Sequence, residues 1–112
     1  MDFENGSVKL TLDGETLWAH IRGEIDHHSA KSIREAIDTL LASSAPEALI
    51  LELSGVTFMD SSGLGLVLGR YTKATEAGIA FSVTGATERI TKMFDMAGLD
   101  RIIDYKERNT SK

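Results

Sequence analysis

The run Asp60-Ser61-Ser62-Gly63-Leu64-Gly65 places a carboxylate, two hydroxyls and two glycines at the entry to an apolar-periodic segment. A helix starting there exposes unpaired amides and the positive end of its dipole. That environment favours an anion carried on Ser61 or Ser62. The same residue types also serve as helix caps. Asp60 or Ser61 can accept an amide hydrogen bond, and Gly63 and Gly65 permit close helix–strand packing. Spacing alone leaves both readings open, and capping is the commoner use of such residues.

No enzyme motif fits this run. A nucleophile elbow needs glycine two positions before the serine, where Met59 and Asp60 stand instead. The dinucleotide fingerprint needs glycine where Leu68 stands, and the Gly-Lys-Ser/Thr ending of a P-loop is missing. His27 and His28 are neighbours beside Asp26. Consecutive residues do not share one helical face, so the pair is a poor metal signature. A triad of Ser61, His27 and Asp26 would need sequence neighbours in triad geometry, and no oxyanion-hole signature accompanies them. The reading is therefore no catalytic residue, no metal site and no cofactor.

Two segments must be positioned for these residues to meet. Val8, Leu10 and Leu12 alternate with polar residues, as do Leu17, Ala19 and Ile21, and Asp13-Gly14 between them signals a hairpin turn. A first helix is expected after Asp26, with Asp26 or Ser29 as cap and Ala30, Ile33, Ile37, Leu40 and Leu41 as its apolar stripe, ending before Pro46. The run Ala48 to Leu53 is almost continuously apolar and predicts a central strand covered on both faces. A second helix is expected after Asp60, burying Leu64, Val67, Leu68, Tyr71 and Ala74 and ending near Gly78. Ile79, Phe81 and Val83 predict another strand, and Thr87 caps a third helix with Ile90, Met93, Phe94 and Ala97, stopped by Gly98. Leu99, Ile102, Ile103 and Tyr105 suit a short edge strand.

The fold class read from this order is α/β, a single domain with a mixed sheet: an N-terminal hairpin followed by α-β-α-β-α units. Ligands in such sheets favour the carboxyl ends of strands. Two segments are expected there as loops, Gly23 to His28 and Phe58 to Gly63. Phe58 and Met59 are read as core, and Met93, Phe94 and Met96 as helix packing.

Composition narrows the function classes. The chain has 112 residues with 17 acidic and 12 basic side chains, a net charge of −5. A domain of this size can bury about two-thirds of the surface its unfolded chain exposes. The acidic balance disfavours a dedicated nucleic-acid binder and a polybasic membrane anchor. The chain has no cysteine, which excludes disulfides, zinc thiolates and cysteine nucleophiles. The start, Met1 to Asn5, lacks the apolar core of a signal peptide, and no run approaches the roughly 20 apolar residues of a membrane span. A cytoplasmic domain over residues 1–112 is expected, with its core at about 8–105 and a polar tail at 106–112 that frays.

Three segments in order, Gly23 to Ala30, Val56 to Tyr71 and Lys92 to Leu99, resemble a STAS domain of the bacterial anti-sigma-factor antagonist family, especially its sporulation members, which act on anti-sigma F factor. The resemblance spans roughly Val8 to Tyr105. It implies a regulator that is the substrate of its own partner. In that family the unmodified antagonist binds an anti-sigma factor that is also an ATP-dependent serine kinase, and so frees the sigma factor. Phosphorylation of the first serine of the Asp-Ser-Ser/Thr-Gly motif releases the antagonist, and a metal-dependent serine phosphatase restores it. By position the acceptor is Ser61, with Asp60 and Asp26 as the neighbouring acids and Ser62 as the unmodified neighbour. The implied docking surface comprises Asp26, His27, His28, Ser29, Asp60, Ser61, Ser62, Gly63, Leu64 and Gly65. Arg70 and Lys73 either extend it or are solvated helix surface. One departure is expected at the C-terminus, where the family's further helix is short or missing. The alternatives are a STAS module sensing a nucleotide or small ligand, and a subunit of a stress-signalling complex.

Overall fold

A computed structural model describes the backbone of residues 2–5 and the whole of residues 7–105. Strands β1 (Asp2–Asn5), β2 (Val8–Asp13) and β3 (Thr16–Ile25) lead into helix α1 (His27–Ser44). Strand β4 (Ala48–Met59), helix α2 (Ser61–Glu76), strand β5 (Ala80–Thr84) and helix α3 (Glu88–Met96) follow, then a 3-10 turn at Leu99–Arg101. The strands lie in the order β1-β2-β3-β4-β5. β1, β2 and β3 pair antiparallel, whereas β3, β4 and β5 pair parallel. This is the expected mixed α/β sheet with one more strand, β1, at its edge. The expected final strand is reduced to an isolated bridge between Asp104 and Ser82, with Val83 N–H donating to the Asp104 carbonyl at 2.9 Å. The expectations for residues 106–112 lie outside the described residues.

The hairpin turn is where the sequence put it. Asp13 pairs with Thr16 around Gly14, whose φ of 61° is the left-handed conformation that an Asp-Gly turn supplies. The core lies between one sheet face and the helices. Leu17, Ile21, Leu49, Leu51 and Leu53 from the sheet meet Ile33 and Ile37 of α1 and Val67 of α2, all at most 1% exposed.

Strand β4 is not covered on both faces. Its residues alternate, with Leu49, Leu51 and Leu53 buried and Ile50 and Glu52 only half-buried beside Trp18 and His20. The cause is topological. The two parallel crossovers run the same way along the sheet, so handedness puts both helices on one face, where α1 and α2 pack together. On the other face, the rings of Trp18 and His20 stack at 5.9 Å and His20 Nδ1 lies 3.3 Å from Glu52 Oε1.

Helix α2 is also rotated from its expected setting. Gly63, Leu66, Val67, Arg70 and Ala74 are its buried residues, while Leu68 is 40% exposed and Leu64 and Tyr71 are half-buried. The rotation follows from the first turn. Gly63 faces inward onto Met59, and a Cβ there would fall 2.2 Å from Met59 Cγ. Only glycine lets this turn settle onto the end of β4. In α3, Ile90 and Phe94 are buried and Met93 is half-buried, as packing requires, but Met96 is 88% exposed.

Candidate functional site

The two segments expected as loops are strand almost to their ends. β3 continues to Ile25 and β4 to Met59, with Gly23 paired to Val56, Glu24 to Phe58 and Ile25 to Met59. The pairing slips between His20 and Arg22 and again between Gly23 and Glu24, where Gly23 has a φ of 82°. These bulges break the period of two. Val56 and Met59 both point inward, and Phe58, expected in the core, is 47% exposed.

Each strand passes to its helix through a single aspartate. Asp26 caps α1 and Asp60 caps α2, both with extended backbone. Since Ile25 and Met59 are register partners, the two caps lie side by side, and Asp60 N–H donates to the Ile25 carbonyl at 3.2 Å. The sequence brings Asp26, Asp60 and Ser61 together by ending two adjacent parallel strands at one level.

Asp26 and Ser29 form a capping box. Asp26 Oδ1 accepts from Ser29 N–H at 3.0 Å, and Ser29 Oγ accepts from Asp26 N–H at 3.0 Å. Ser29 Oγ also lies 2.8 Å from the Glu24 carbonyl, to which it can donate. The Ser29 hydroxyl is thus engaged within its own chain. The backbone hydrogen bond from Ser29 holds the Asp26 carboxyl below its ordinary range, against a smaller upward push from desolvation. The sign follows directly. A depressed pKa contributes stability above the unfolded value, near 3.8, and that contribution is lost as pH falls through the folded value. Asp26→Ala is therefore expected to lower the melting temperature at neutral pH, with the gap from wild type closing below about pH 4. Thermal melts of both proteins across the acid range check it.

At the second junction Asp60 Oδ1 accepts from Ser62 N–H at 2.8 Å, and Gly63 N–H donates to the Asp60 carbonyl at 2.9 Å. Both sequence readings therefore apply to different residues: Asp60 is the cap, which leaves Ser61 free of that duty. Ser61, the first residue of α2, is exposed, and its hydroxyl has no hydrogen-bond partner among the described residues. Ser62 is half-buried, Leu64 half-buried and Gly65 exposed with open space around it. His27 and His28 are exposed in the first turn of α1. Among the described residues, no three His, Asp or Glu side chains cluster as a metal site would require, and no helix is long and apolar enough to cross a membrane.

The site is thus an exposed, uncommitted hydroxyl at a helix start, flanked by two carboxylates. The STAS domain model matches residues 7–112. The chain is 34% identical over 99 residues to an anti-sigma F factor antagonist of Paenibacillus polymyxa, covering 88% of this chain and 85% of that one. This chain belongs to the STAS-domain family of anti-sigma factor antagonists. It is also 31% identical over 105 residues to the anti-sigma-B factor antagonist of Bacillus subtilis, covering 94% of each. Among solved structures, the antagonist SpoIIAA in its unphosphorylated form superposes with a TM-score of 0.76 at 28% identity, over 93% of this chain and 91% of that one. SpoIIAA in its phosphorylated form superposes with a TM-score of 0.71 at the same identity, over 93% and 95%. Control of sigma factors through anti-sigma factors is the family's function.

One residue read as either docking surface or solvated helix surface is turned inward. Arg70 is not solvated helix surface: it is 6% exposed, with Nε 2.9 Å from Asp38 Oδ1 on α1. The approach is close, but the N–H does not aim at the carboxylate, and Nη1 is buried without a partner. Burial pushes the Arg70 pKa down, Asp38 opposes that, and nearby Arg34 adds to it. Nothing in the sequence pairs Asp38 with Arg70. Only the contact between two separate helices does.

Proposed function

We propose that Ser61 is the phosphoacceptor through which this anti-sigma factor antagonist is switched. Unmodified, it binds an anti-sigma factor and frees the sigma factor. The anti-sigma factor is also the kinase: it transfers the γ-phosphoryl group of ATP to Ser61 Oγ, ADP leaves, and the hydroxyl proton passes to a base of the kinase. A metal-dependent serine phosphatase returns Ser61 to its hydroxyl. The protein is substrate and ligand in this cycle, not catalyst, and it works in the cytoplasm without contacting nucleic acid or membrane.

The observation that carries this reading is the division of labour at the α2 start. Asp60 takes the capping role, so Ser61 keeps an exposed hydroxyl with no structural task among the described residues. A kinase needs that access, and Ser62 offers less of it. A phosphate on Ser61 adds about −1.5 to −2 charges. The helix dipole favours that charge by up to about 1 kcal/mol, while Asp60 and Asp26 oppose it. These effects are comparable, so the fold survives and the loss falls on the docked surface. The Asp26–Ser29 turn, including His27 and His28, lies beside Ser61 and forms the rest of that surface, with Leu64 and Gly65.

Incubation with the cognate kinase and ATP, followed by peptide mapping in the mass spectrometer, tests the assignment. Phosphate on Ser61 is expected. Phosphate on Ser62 alone, or on no residue, contradicts it.

A further inference from the structure

Helices α1 and α2 do not close against each other along their whole length. Between them runs a groove of about 510 Å³. Lys31 and Arg34 stand on its α1 side, Gly65 and Gly69 on its α2 side, and Arg70 lines it from below. Ser62 and His27 are at its mouth, next to Ser61.

Three observations on this groove point the same way. Its charge is reversed from that of the chain: the protein carries −5 overall, yet Lys31, Arg34 and Arg70 meet here with Asp38 as the carboxylate against Arg70. Arg70 is more than nine-tenths buried, and its Nη1 has no hydrogen-bond partner. A buried, under-satisfied guanidinium is costly unless something completes it. Finally, Gly65 and Gly69, one turn apart on α2, have nothing within 4 Å of a built Cβ. Unlike Gly63, they serve no close approach within this chain, and glycine inside a helix is unfavourable relative to alanine. A bare strip of backbone beside a basic groove suits a second chain lying close along α2.

We propose that this groove receives an acidic side chain, Asp or Glu, from the segment of the anti-sigma factor that docks over Ser61. The inference rests on the functional reading above and extends it to a second anchor point. A partner carboxylate fits better than a free phosphate. The amides nearest the groove mouth are already used, Ser62 N–H by the Asp60 side chain and Gly63 N–H by its carbonyl. No amide cradle of the kind phosphates use is open at that end. What remains are side-chain cations, which can pair with a carboxylate without any amide cradle.

Calorimetric binding of the anti-sigma factor to wild type, Arg34→Glu, Gly65→Ala and Ser61→Asp, at low and high salt, tests it. Arg34→Glu is expected to bind at least about tenfold more weakly, with a flatter salt dependence, although its melting temperature is unchanged or higher because repulsion of Arg70 is removed. Gly65→Ala is expected to melt higher yet bind more weakly, which a purely structural glycine would not do. If Arg34→Glu binds like wild type with the same salt dependence while Ser61→Asp fails to bind, the groove is not an anchor and the Ser61 reading stands. If wild type itself does not bind, both fail. Inorganic phosphate that saturates the groove of the free protein, seen as NMR shifts at Arg34 and Arg70, would assign it to a small oxyanion and overturn the proposal.

Discussion

Ser61→Asp is expected to lose binding to the anti-sigma factor by about 100-fold or more, near 3 kcal/mol, whereas Ser61→Ala binds as wild type and is never released. The magnitude follows from what the partner must cover. Wild-type Ser61 presents a neutral hydroxyl without internal commitments. A carboxylate there must be desolvated on docking, and the cost of an unpaired buried charge is several kcal/mol. Asp26 and Asp60 lie alongside and add to that cost, and the helix dipole returns at most about 1 kcal/mol. Ser61→Ala removes only the hydroxyl. It keeps the Asp60 cap on α2, which depends on Ser62 N–H rather than on Ser61. Titration calorimetry with kinase and ADP separates the two variants. Equal affinity for both would remove the electrostatic basis of the switch.

The largest effect on stability is expected at Asp38, remote from Ser61. Asp38→Ala strips Arg70 of its counter-ion and leaves a guanidinium that is 7% exposed with no compensating carboxylate. Breaking a buried pair from one side costs about 3–5 kcal/mol. Asp38 itself keeps 24% of its side chain exposed, so water can reach the gap, and a loss just under that range, about 2–3 kcal/mol, is expected. Arg34 makes the single substitution worse, because its like charge then acts on Arg70 unopposed. Removing both partners reverses the logic. Asp38→Leu with Arg70→Met is expected to recover most of the loss, since a buried ion pair is often no better than an apolar pair of similar volume. Urea unfolding of the two single variants and the double variant forms the cycle. A single Asp38→Ala loss below about 0.5 kcal/mol would mean that the pair behaves as surface charge.

Much of this architecture was legible in the residues. Strand alternation around Asp13-Gly14, the apolar stripe of α1 and the Thr87 cap of α3 are local signals, and each element formed where its signal lay. Asp26 as a cap was likewise readable from its type and place. The errors share one cause: they depend on which chain segments lie opposite. β4 reads as buried on both faces because its run is apolar, but face coverage is decided by where both crossover helices pack. Phe58 reads as core until the bulges near Gly23 shift the phase of the strand ends. The stripe of α2 reads through Leu64 and Leu68, yet the seat of Gly63 on Met59 rotates the helix and turns Arg70 inward. Arg70 and Asp38 are 32 positions apart and carry no mutual signal in a single sequence. At the site, the segment was legible by resemblance. The separation of roles, cap at Asp60 and free hydroxyl at Ser61, needed the hydrogen bonds.

Release of sigma factor tests the central claim most directly. The protein, before and after phosphorylation at Ser61, is added to a preformed complex of anti-sigma factor and sigma factor, and the products are separated by size. The unmodified protein is expected to displace sigma factor into a free fraction, and the phosphorylated protein to leave the complex intact. Release by both forms, or by neither, would contradict a switch at Ser61.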